Sequence, residues 1–440
     1  MKKKYIQNIA FLVDCCPVLQ RLYSDPKNIL SKFTLAQFDD PKFKTDLYKD
    51  LNDWATEFNN PQNGRIPEKI KGLGPYQLTS WDAGQSLILS RKTNHWTQKS
   101  VEREDENSYP YKIIFKINKD ENSQMLEFKS QTMDASTWLS GKTLLELQKD
   151  VNFNRNYNSR FIPSFDYGYI AMNMKPDGII HKKIFTDKKT RRAMALLTPI
   201  DDIIRVILFG KATRMASMVS PIKKKEYNAN LKPLSLDIEQ AKKLLDESGW
   251  KDADGNNIRD KIIDGEKIEL NFNLNFMNSS SWVKDVVMMI QESMYKAGVK
   301  LNPIPMEIAV FYEKAKKHDF DMMLGAWGGN FFQEDYTQVW HTNSWATQGS
   351  NFTGFGNAES DALIDSIKYT LTDSIRYPLS KRLQTIIYDE QPYIFVYSTM
   401  RKVAIHKRFR NGNMFFEKPH LMLNNLLLLS NQGASLKTTN

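Results

Sequence analysis

Leu47, Leu51, Trp54 and Phe58 follow one another at spacings of 4, 3 and 4, so a helix would carry all of them on one face. The stretch 27–60 around them reads as helical, with Ile29, Leu30, Phe33 and Leu35 as its earlier apolar positions. Asn59-Asn60-Pro61-Gln62-Asn63-Gly64 closes it with loop formers. The pattern then turns to β. Tyr76 to Trp81 and Leu87 to Leu89 predict a hairpin around Asp82-Ala83-Gly84-Gln85. The charged run from Lys99 to Tyr109 is expected to be solvated, and the β-branched and aromatic run Tyr111 to Ile117 predicts a strand. Residues 142–149 predict a short helix, and Tyr167 to Met174 another strand.

From about residue 185 helix and strand alternate more regularly. Helices are predicted over Thr190 to Phe209, ending at Gly210, and over Trp282 to Tyr295, closing at Gly298. Between them Leu236 to Ser248 is amphipathic, with Ala241, Leu244 and Leu245 on one face and Gly249 as the stop. Further helices fall at Phe311 to Lys317, Ser360 to Tyr369 and Leu379 to Tyr388. Strands are predicted at Ile268 to Phe276, Val299 to Ile304, Phe320 to Leu324, Ile394 to Tyr397 and Val403 to Ile405. Alternation combined with hairpins argues a mixed α/β to α+β fold, not all-α or all-β. No internal repeat aligns, and the tail from Asn431 is polar.

The length of 440 residues suggests about two to three domains at roughly 150 residues each. With 41% hydrophobic and 12% aromatic residues the chain is not of the disordered class, and its 9 Trp, 18 Tyr and 24 Phe call for large cores or a ring-lined cleft. The formal charge of +10 is dilute over this length. Its basic clusters, at Lys182-Lys183, Lys188-Lys189, Arg191-Arg192 and Lys223-Lys224-Lys225, are scattered, so no nucleic-acid partner is expected. The most apolar run, Leu421 to Leu429, is short and broken by Asn424 and Asn425, below the ~18–20 residues a membrane span needs. Met1-Lys2-Lys3-Lys4 followed by Ile9 to Val13 has the outline of a secretory signal. However, its apolar run is five residues long and Asp14 stands where a small residue is needed, so it reads as an ordinary buried segment. The two cysteines, Cys15 and Cys16, are adjacent and form no CxxC spacing.

Most catalytic and metal chemistries fail on spacing. His95, His181, His318, His341, His406 and His420 are too far apart for a HExxH zinc site, and they read as surface or satisfied histidines. Gly141-Lys142-Thr143 matches the end of a phosphate loop, but Ser136 stands where the first glycine belongs. Gly72-Leu73-Gly74 starts like a dinucleotide fingerprint and then meets Pro75, which lacks the donor a phosphate would want. The loop Asp252 to Asp260 resembles a calcium loop, yet Gly255 is fourth and Ile263 twelfth where an EF-hand has glycine sixth and glutamate last; a polar turn is the better reading. No catalytic residue, metal site or cofactor is assigned.

Several strings in order carry a resemblance. They are Gly72-Leu73-Gly74-Pro75-Tyr76 with Trp81 and Arg91 to Trp96; Phe185 with Asp187 and Thr190-Arg191-Arg192-Ala193; Ala241 to Leu245 with Ser248-Gly249-Trp250; Phe320-Asp321 with Ala326-Trp327; and Gln384, Ile386-Ile387 and Gln391-Pro392. From about Asp25 to Phe416 the chain resembles the family 5 extracellular solute-binding proteins, the oligopeptide, dipeptide and nickel receptors of ABC importers. The resemblance implies a periplasmic-binding-protein-like clamp of two lobes, the first of them discontinuous. By that analogy residues 1–167 and 400–440 form the first lobe and its tail, and 168–399 the second. It also implies an additional subdomain ahead of the Gly-x-Gly-Pro-Tyr element, of roughly 100–200 residues. No string for it occurs in the first 70 residues, so a chain truncated at its amino terminus, or the downstream half of a split gene, is expected.

The function implied is a substrate-binding protein of a peptide-type importer in the periplasm or cell envelope, without catalysis. It would be a monomer that takes a peptide or similar small ligand between its lobes, then presents a closed surface to the permease. In peptide receptors of the family the segment with the tryptophan sets backbone and an acidic residue against the peptide's ammonium. That segment is Gly325-Ala326-Trp327-Gly328-Gly329-Asn330, where Asn330 takes the acidic place and lacks its charge. Either Glu334 or Asp335 takes over, or the ligand has no free amino terminus. Trp327 can instead be a core anchor, Gly328 and Gly329 simple turn formers, and Tyr167 and Tyr169, two apart on one strand face, either line the cleft or pack. Arg191 and Asp201 read as structural, as does the patch of Trp340, His341 and Trp345. Two rivals remain: a hydrolase using Glu334 and Asp335, and a non-functional truncated remnant.

Overall fold

The run Leu47, Leu51, Trp54, Phe58 does lie in a helix, but one confined to Lys49–Phe58 (α1). The computed structural model describes residues 25–429 except 71, 73, 100–105, 279–280, 333–334 and 348. The amino-terminal charged and apolar segment, Cys15, Cys16, Glu334 and the tail from Asn431 therefore lie outside the described residues. The predicted helical stretch 27–60 breaks into single turns at Ile29–Lys32, Leu35–Phe38 and Thr45–Leu47 before α1 begins. The breaks have local causes. Asn28 is left-handed, with φ of 57°, and the Asp25 carboxylate accepts the Ile29 and Leu30 N–H groups at 2.7 Å each. A Thr34–Gln37 capping box then starts a new turn, which Pro41 follows closely.

The chain divides into two compact units. Among the described residues the smaller takes 25–160, Val403–Phe415 and 419–429. In it Tyr76–Asp82 (β1) and Ser86–Arg91 (β2) form the predicted hairpin, with Gly84 at φ 79° in the turn and Lys112–Lys116 (β3) alongside β2. Glu121–Lys129 (α2), Gly141–Lys149 (α3) and Val151–Asn156 (α4) follow, with Ala135–Ser136 (β4) and Tyr157–Ile162 (β5) among them. Phe128, Leu144, Leu147, Phe153 and Tyr157 are buried here, and the Phe153 and Tyr157 rings stack at 4.8 Å. Gly141-Lys142-Thr143 is the first turn of α3, capped by the Ser140 hydroxyl accepting the Thr143 N–H at 3.0 Å.

The larger unit takes Phe161–Lys402 and Phe416–Lys418. Its centre is a five-stranded sheet built on Tyr167–Met172 (β6), to which Ala212–Arg214 (β7), Asp260–Ile263 (β8) and Glu266–Glu269 (β9) do not belong. The other members are Asn271–Met277 (β10), Lys300–Met306 (β11), Met322–Trp327 (β12) and Tyr393–Phe395 (β13), in the order β11-β10-β12-β6-β13. β10 runs parallel to β11 and β12, whereas β6 is antiparallel to both β12 and β13. The two-residue period sends Ile170, Met172, Phe272, Leu274, Met322, Leu324 and Ile394 to one face. That face also buries apolar residues of Lys188–Leu196 (α5), Ile238–Glu247 (α6) and Ser281–Tyr295 (α7). Tyr167, Tyr169, Ala171, Met323, Tyr393 and Phe395 go to the other, with residues of Ile308–Lys316 (α8), Ala358–Tyr369 (α9) and Asp373–Glu390 (α10).

Two predicted elements are interrupted within their apolar patterns. The helix expected over Thr190 to Phe209 breaks after α5, because Pro199 has no N–H to continue it and restricts Thr198 before it, and it resumes as a helical turn at Ile200–Asp202 and a wider π turn at Ile203–Ile207. The strand expected over Ile268 to Phe276 is cut at Leu270 into β9 and β10. β9 instead pairs back on β8 through Asp264 and Gly265, at φ 52° and 85°. In the loop 252–260 the acidic groups serve the loop itself. Asp252 accepts the Gly255 and Asn257 N–H groups at 2.9 and 3.0 Å, and Lys267 pairs with Asp254 and Asp260 at 2.6 and 3.3 Å. Arg191, 1% exposed, donates to the carbonyls of Phe185, Thr186 and Glu390, and Asp201 pairs with Arg214 at 3.1 Å.

The chain leaves this unit through Tyr397–Thr399 (β14), which pairs with β7, and Arg401–His406 (β15), whose later residues pair with β4. Phe409–Arg410 (β16) and Leu427–Leu428 (β17) pair with each other near the end. The fold is thus of the expected mixed class, spread over several separate sheets. No helix among the described residues is long and apolar enough to cross a membrane.

Candidate functional site

β12 ends at Trp327, and its last residues lie against β6 with Gly325 opposite Tyr169 and Trp327 opposite Tyr167. Gly325 is there for a packing reason. A Cβ at this position would stand 2.7 Å from the Tyr169 Oη, so only glycine lets that ring lie across the strand. Tyr169 then stacks on Tyr393 at 4.2 Å and 6°, and on Trp327 at 5.8 Å and 18°. Trp327 continues the row onto Phe352 at 5.9 Å and 19°, and its Nε1–H donates to Tyr393 Oη at 3.4 Å. Each such ring pair contributes about 0.5–1.5 kcal/mol beyond burial, so the row is a stiff platform. Tyr167, Tyr169, Tyr393 and Phe352 are buried, and burial pushes the Tyr169 hydroxyl well above its usual range. Trp327 alone of this row is half-exposed.

The chain beyond Trp327 is held by charges. Gly329 donates its N–H to Asp166 Oδ1 at 2.9 Å, and a Cβ on it would come within 2.4 Å of the Phe165 carbonyl oxygen. Its missing side chain is therefore required by the protein's own backbone. Gly328 is different: it is exposed, and a Cβ there would meet the Lys418 Nζ at 3.0 Å. Lys418 pairs with Asp166 Oδ1 at 2.8 Å, and Arg401 donates to the other carboxylate oxygen. Burial acts to raise the Asp166 pKa, but Lys418, Arg401 and the Gly329 N–H outweigh it and hold the carboxyl below its usual range. Further along, Phe331 N–H donates to Glu417 Oε2 at 2.5 Å, and Lys223 Nζ donates to the Phe332 carbonyl at 2.9 Å.

The structure thus brings Tyr167, Tyr169, Trp327, Gly328, Gly329 and Asn330 together at one end of the β6–β12 pair. Tyr167 and Tyr169 lie in the core, whereas Trp327, Gly328 and Asn330 reach solvent. Glu334 lies outside the described residues. Asp335 lies just ahead of the next helical turn, accepts the Thr337 N–H at 2.8 Å, and pairs with Lys368 at 3.3 Å. Sequence reading missed Asp166, Arg401 and Lys418, which are joined over separations of 235 and 252 residues and leave no local signal. It also missed Phe352 and Tyr393. Their one clue was the aromatic surplus. Among the described residues no group of three or more His, Cys, Asp or Glu is placed to hold a metal ion.

Comparison with known proteins adds to this geometry. Residues 22–349 match the model of the bacterial extracellular solute-binding proteins, family 5 middle region. The chain is 24% identical over 394 residues to the oligopeptide-binding protein AppA of Bacillus subtilis, covering 86% of this chain and 62% of that protein. To the di/tripeptide-binding protein 1 of Pseudomonas aeruginosa it is 25% identical over 347 residues, covering 77% and 58%. The chain therefore spans about three fifths of the length of these curated relatives. Among solved structures, Bacillus subtilis AppA in complex with a nonapeptide superposes with a TM-score of 0.74 at 21% identity, covering 97% of this chain and 75% of that one. Helicobacter pylori DppA in complex with the peptide STSA gives 0.69 at 18%, covering 87% and 67%. These structural likenesses are of fold.

Proposed function

We propose, because this chain belongs to the bacterial extracellular solute-binding proteins of family 5, that it binds a peptide or similar small ligand for an ABC importer. The observation that carries this reading is the family match itself, which runs from residue 22 to residue 349 and so takes in the segment that ends β12. The protein makes and breaks no bond. It holds its ligand outside the cytoplasmic membrane and passes it to permease subunits.

The ligand lies against Trp327, Gly328, Gly329 and Asn330. Three properties of the segment support this. The Trp327 ring is partly exposed yet held in place by stacking on Tyr169 and Phe352, so a ligand can pack on its exposed part without displacing it. Gly328 exposes main-chain groups that a side chain would otherwise shield. Asn330 offers a neutral amide, which both donates and accepts. In this reading Tyr167 and Tyr169 act through Trp327 from the core. Asp335 holds the following turn and carries no catalysis.

Calorimetric titration with a panel of di- to nonapeptides tests the reading. At least one peptide is expected to bind saturably, and Trp327→Ala is expected to weaken it by about tenfold or more, the loss of one stacked ring. An unchanged affinity in Trp327→Ala would remove Trp327 from the site, and no binding across the panel would overturn the importer reading.

A further inference from the structure

The segment Gly328–Phe332 is held by charged side chains of unequal number. Among the described residues, Lys418, Arg401 and Lys223 supply three cations to it or to its anchor, against the carboxylates of Asp166 and Glu417. Asp166 is already committed: one oxygen takes the Gly329 N–H and Lys418, the other takes Arg401. Glu417 spends one oxygen on the Phe331 N–H. Lys418 is the least committed group. Its ammonium has three donors, of which Asp166 takes one, and its side chain is 45% exposed. Its Nζ stands 3.0 Å from where a side chain on Gly328 would begin, so it occupies the open space over the exposed glycine.

We infer that Lys418 is a specificity-determining residue, and that the ligand group meeting Gly328–Asn330 is a carboxylate, not an ammonium. The inference deepens the ligand-binding reading and rests on it. An ammonium brought to this place would meet Lys418 at close range; Asn330 is neutral and Asp166 is occupied, which leaves the second oxygen of Glu417, beside Phe331, to offset the repulsion. A carboxylate gains a charge-assisted bond from Lys418 and is tolerated by the surplus cation. Selectivity then arises partly from repulsion of the wrong end group.

The test uses the full chain and a degenerate tetrapeptide pool of uncharged residues in three forms: both ends free, amino end acetylated, and carboxyl end amidated. Acetylation is expected to change apparent affinity by less than about twofold, and amidation to weaken it by about tenfold, one lost charge-assisted contact. Lys418→Gln is expected to erase the preference for the free carboxylate, Lys418→Arg to keep it, and Glu417→Gln to leave it in place. Binding that needs the free amine, that ignores both caps, or whose preference survives Lys418→Gln overturns the inference while leaving the ligand-binding reading intact. Loss of the preference in Glu417→Gln overturns it too. No binding of any form overturns that reading and the inference together.

Discussion

The two compact units spend their apolar residues differently. The larger one buries two extended clusters on the two faces of a single sheet, and its largest side chains, among them Trp250, Trp340, Tyr169 and Tyr393, are almost wholly enclosed. The smaller gathers a modest core around Phe128, Phe153 and Tyr157. The contrast extends to their histidines. In the larger unit both ring nitrogens of His181 face carboxylates, Asp321 at 2.7 Å and Asp319 at 2.9 Å, a setting that favours the charged ring, which alone can donate to both. In the smaller unit His406 accepts the Arg408 N–H on Nδ1 at 2.9 Å and faces the Gln131 carbonyl oxygen with Nε2 at 3.1 Å, which demands a neutral ring. The proposed ligand segment would gain most from a rigid support, and the Trp327 row sits on the densely packed unit.

The widest gap should appear on truncation. Trp340→Ala removes a ring that packs on Phe355, Tyr393 and Phe395 at 1% exposure, and it is expected to cost about 3–5 kcal/mol. Val151→Ala, at a position 73% exposed, should stay within about 0.5 kcal/mol. Urea unfolding followed by circular dichroism measures both, and comparable losses would break the contrast. Within the proposed ligand segment the neighbouring glycines should separate as well. Gly329→Ala drives a Cβ into the Phe165 backbone and is expected to cost about 1–3 kcal/mol. Gly328→Ala meets the mobile end of Lys418 and should be close to neutral in stability.

The smallest effect, and the sharpest between units, is in pH. The Asp321 hydrogen bond, opposed by burial and reinforced by Asp319, raises the His181 pKa in the fold. Its contribution is therefore complete below the unfolded value of about 6.5 and is lost as pH rises through the folded value. Burial, with Arg408 nearby, lowers the His406 pKa, so its contribution is complete above about 6.5 and is lost as pH falls through the folded value. In thermal melts between pH 5.5 and 8, His181→Gln should remove an alkaline loss from the larger unit, and His406→Gln an acid loss from the smaller. The same sign of change in both variants would contradict the assignment of charge.

What was legible in the sequence follows the range of the forces involved. The hairpin at Asp82 to Gln85 could be read because its turn residues and flanking strands are contiguous. The hairpin at Asp264-Gly265 carried an equally local signal, but the apolar run Ile268 to Phe276 masked it by looking like one strand. Pro199 was visible and still lost to the apolar period around it. The segment Trp327 to Asn330 stood out by its glycines and by following a strand. The Asp166, Arg401 and Lys418 anchor did not, because two of its ion pairs join residues hundreds of positions apart and no period or motif records them. The stacking of Tyr169 between Tyr393 and Trp327 likewise depends on strand order β12-β6-β13, which only the folded sheet fixes.

The central claim, that this chain binds a peptide-like ligand and returns it unchanged, is tested most directly by melting the full chain with and without the uncharged tetrapeptide pool and then weighing the recovered peptides. The account predicts a melting temperature that climbs with pool concentration, reaching about 2.7 kcal/mol of added stability at a hundredfold excess over Kd, and peptides of unaltered mass. Melting indifferent to the pool at every concentration, or peptides recovered shortened, would contradict it.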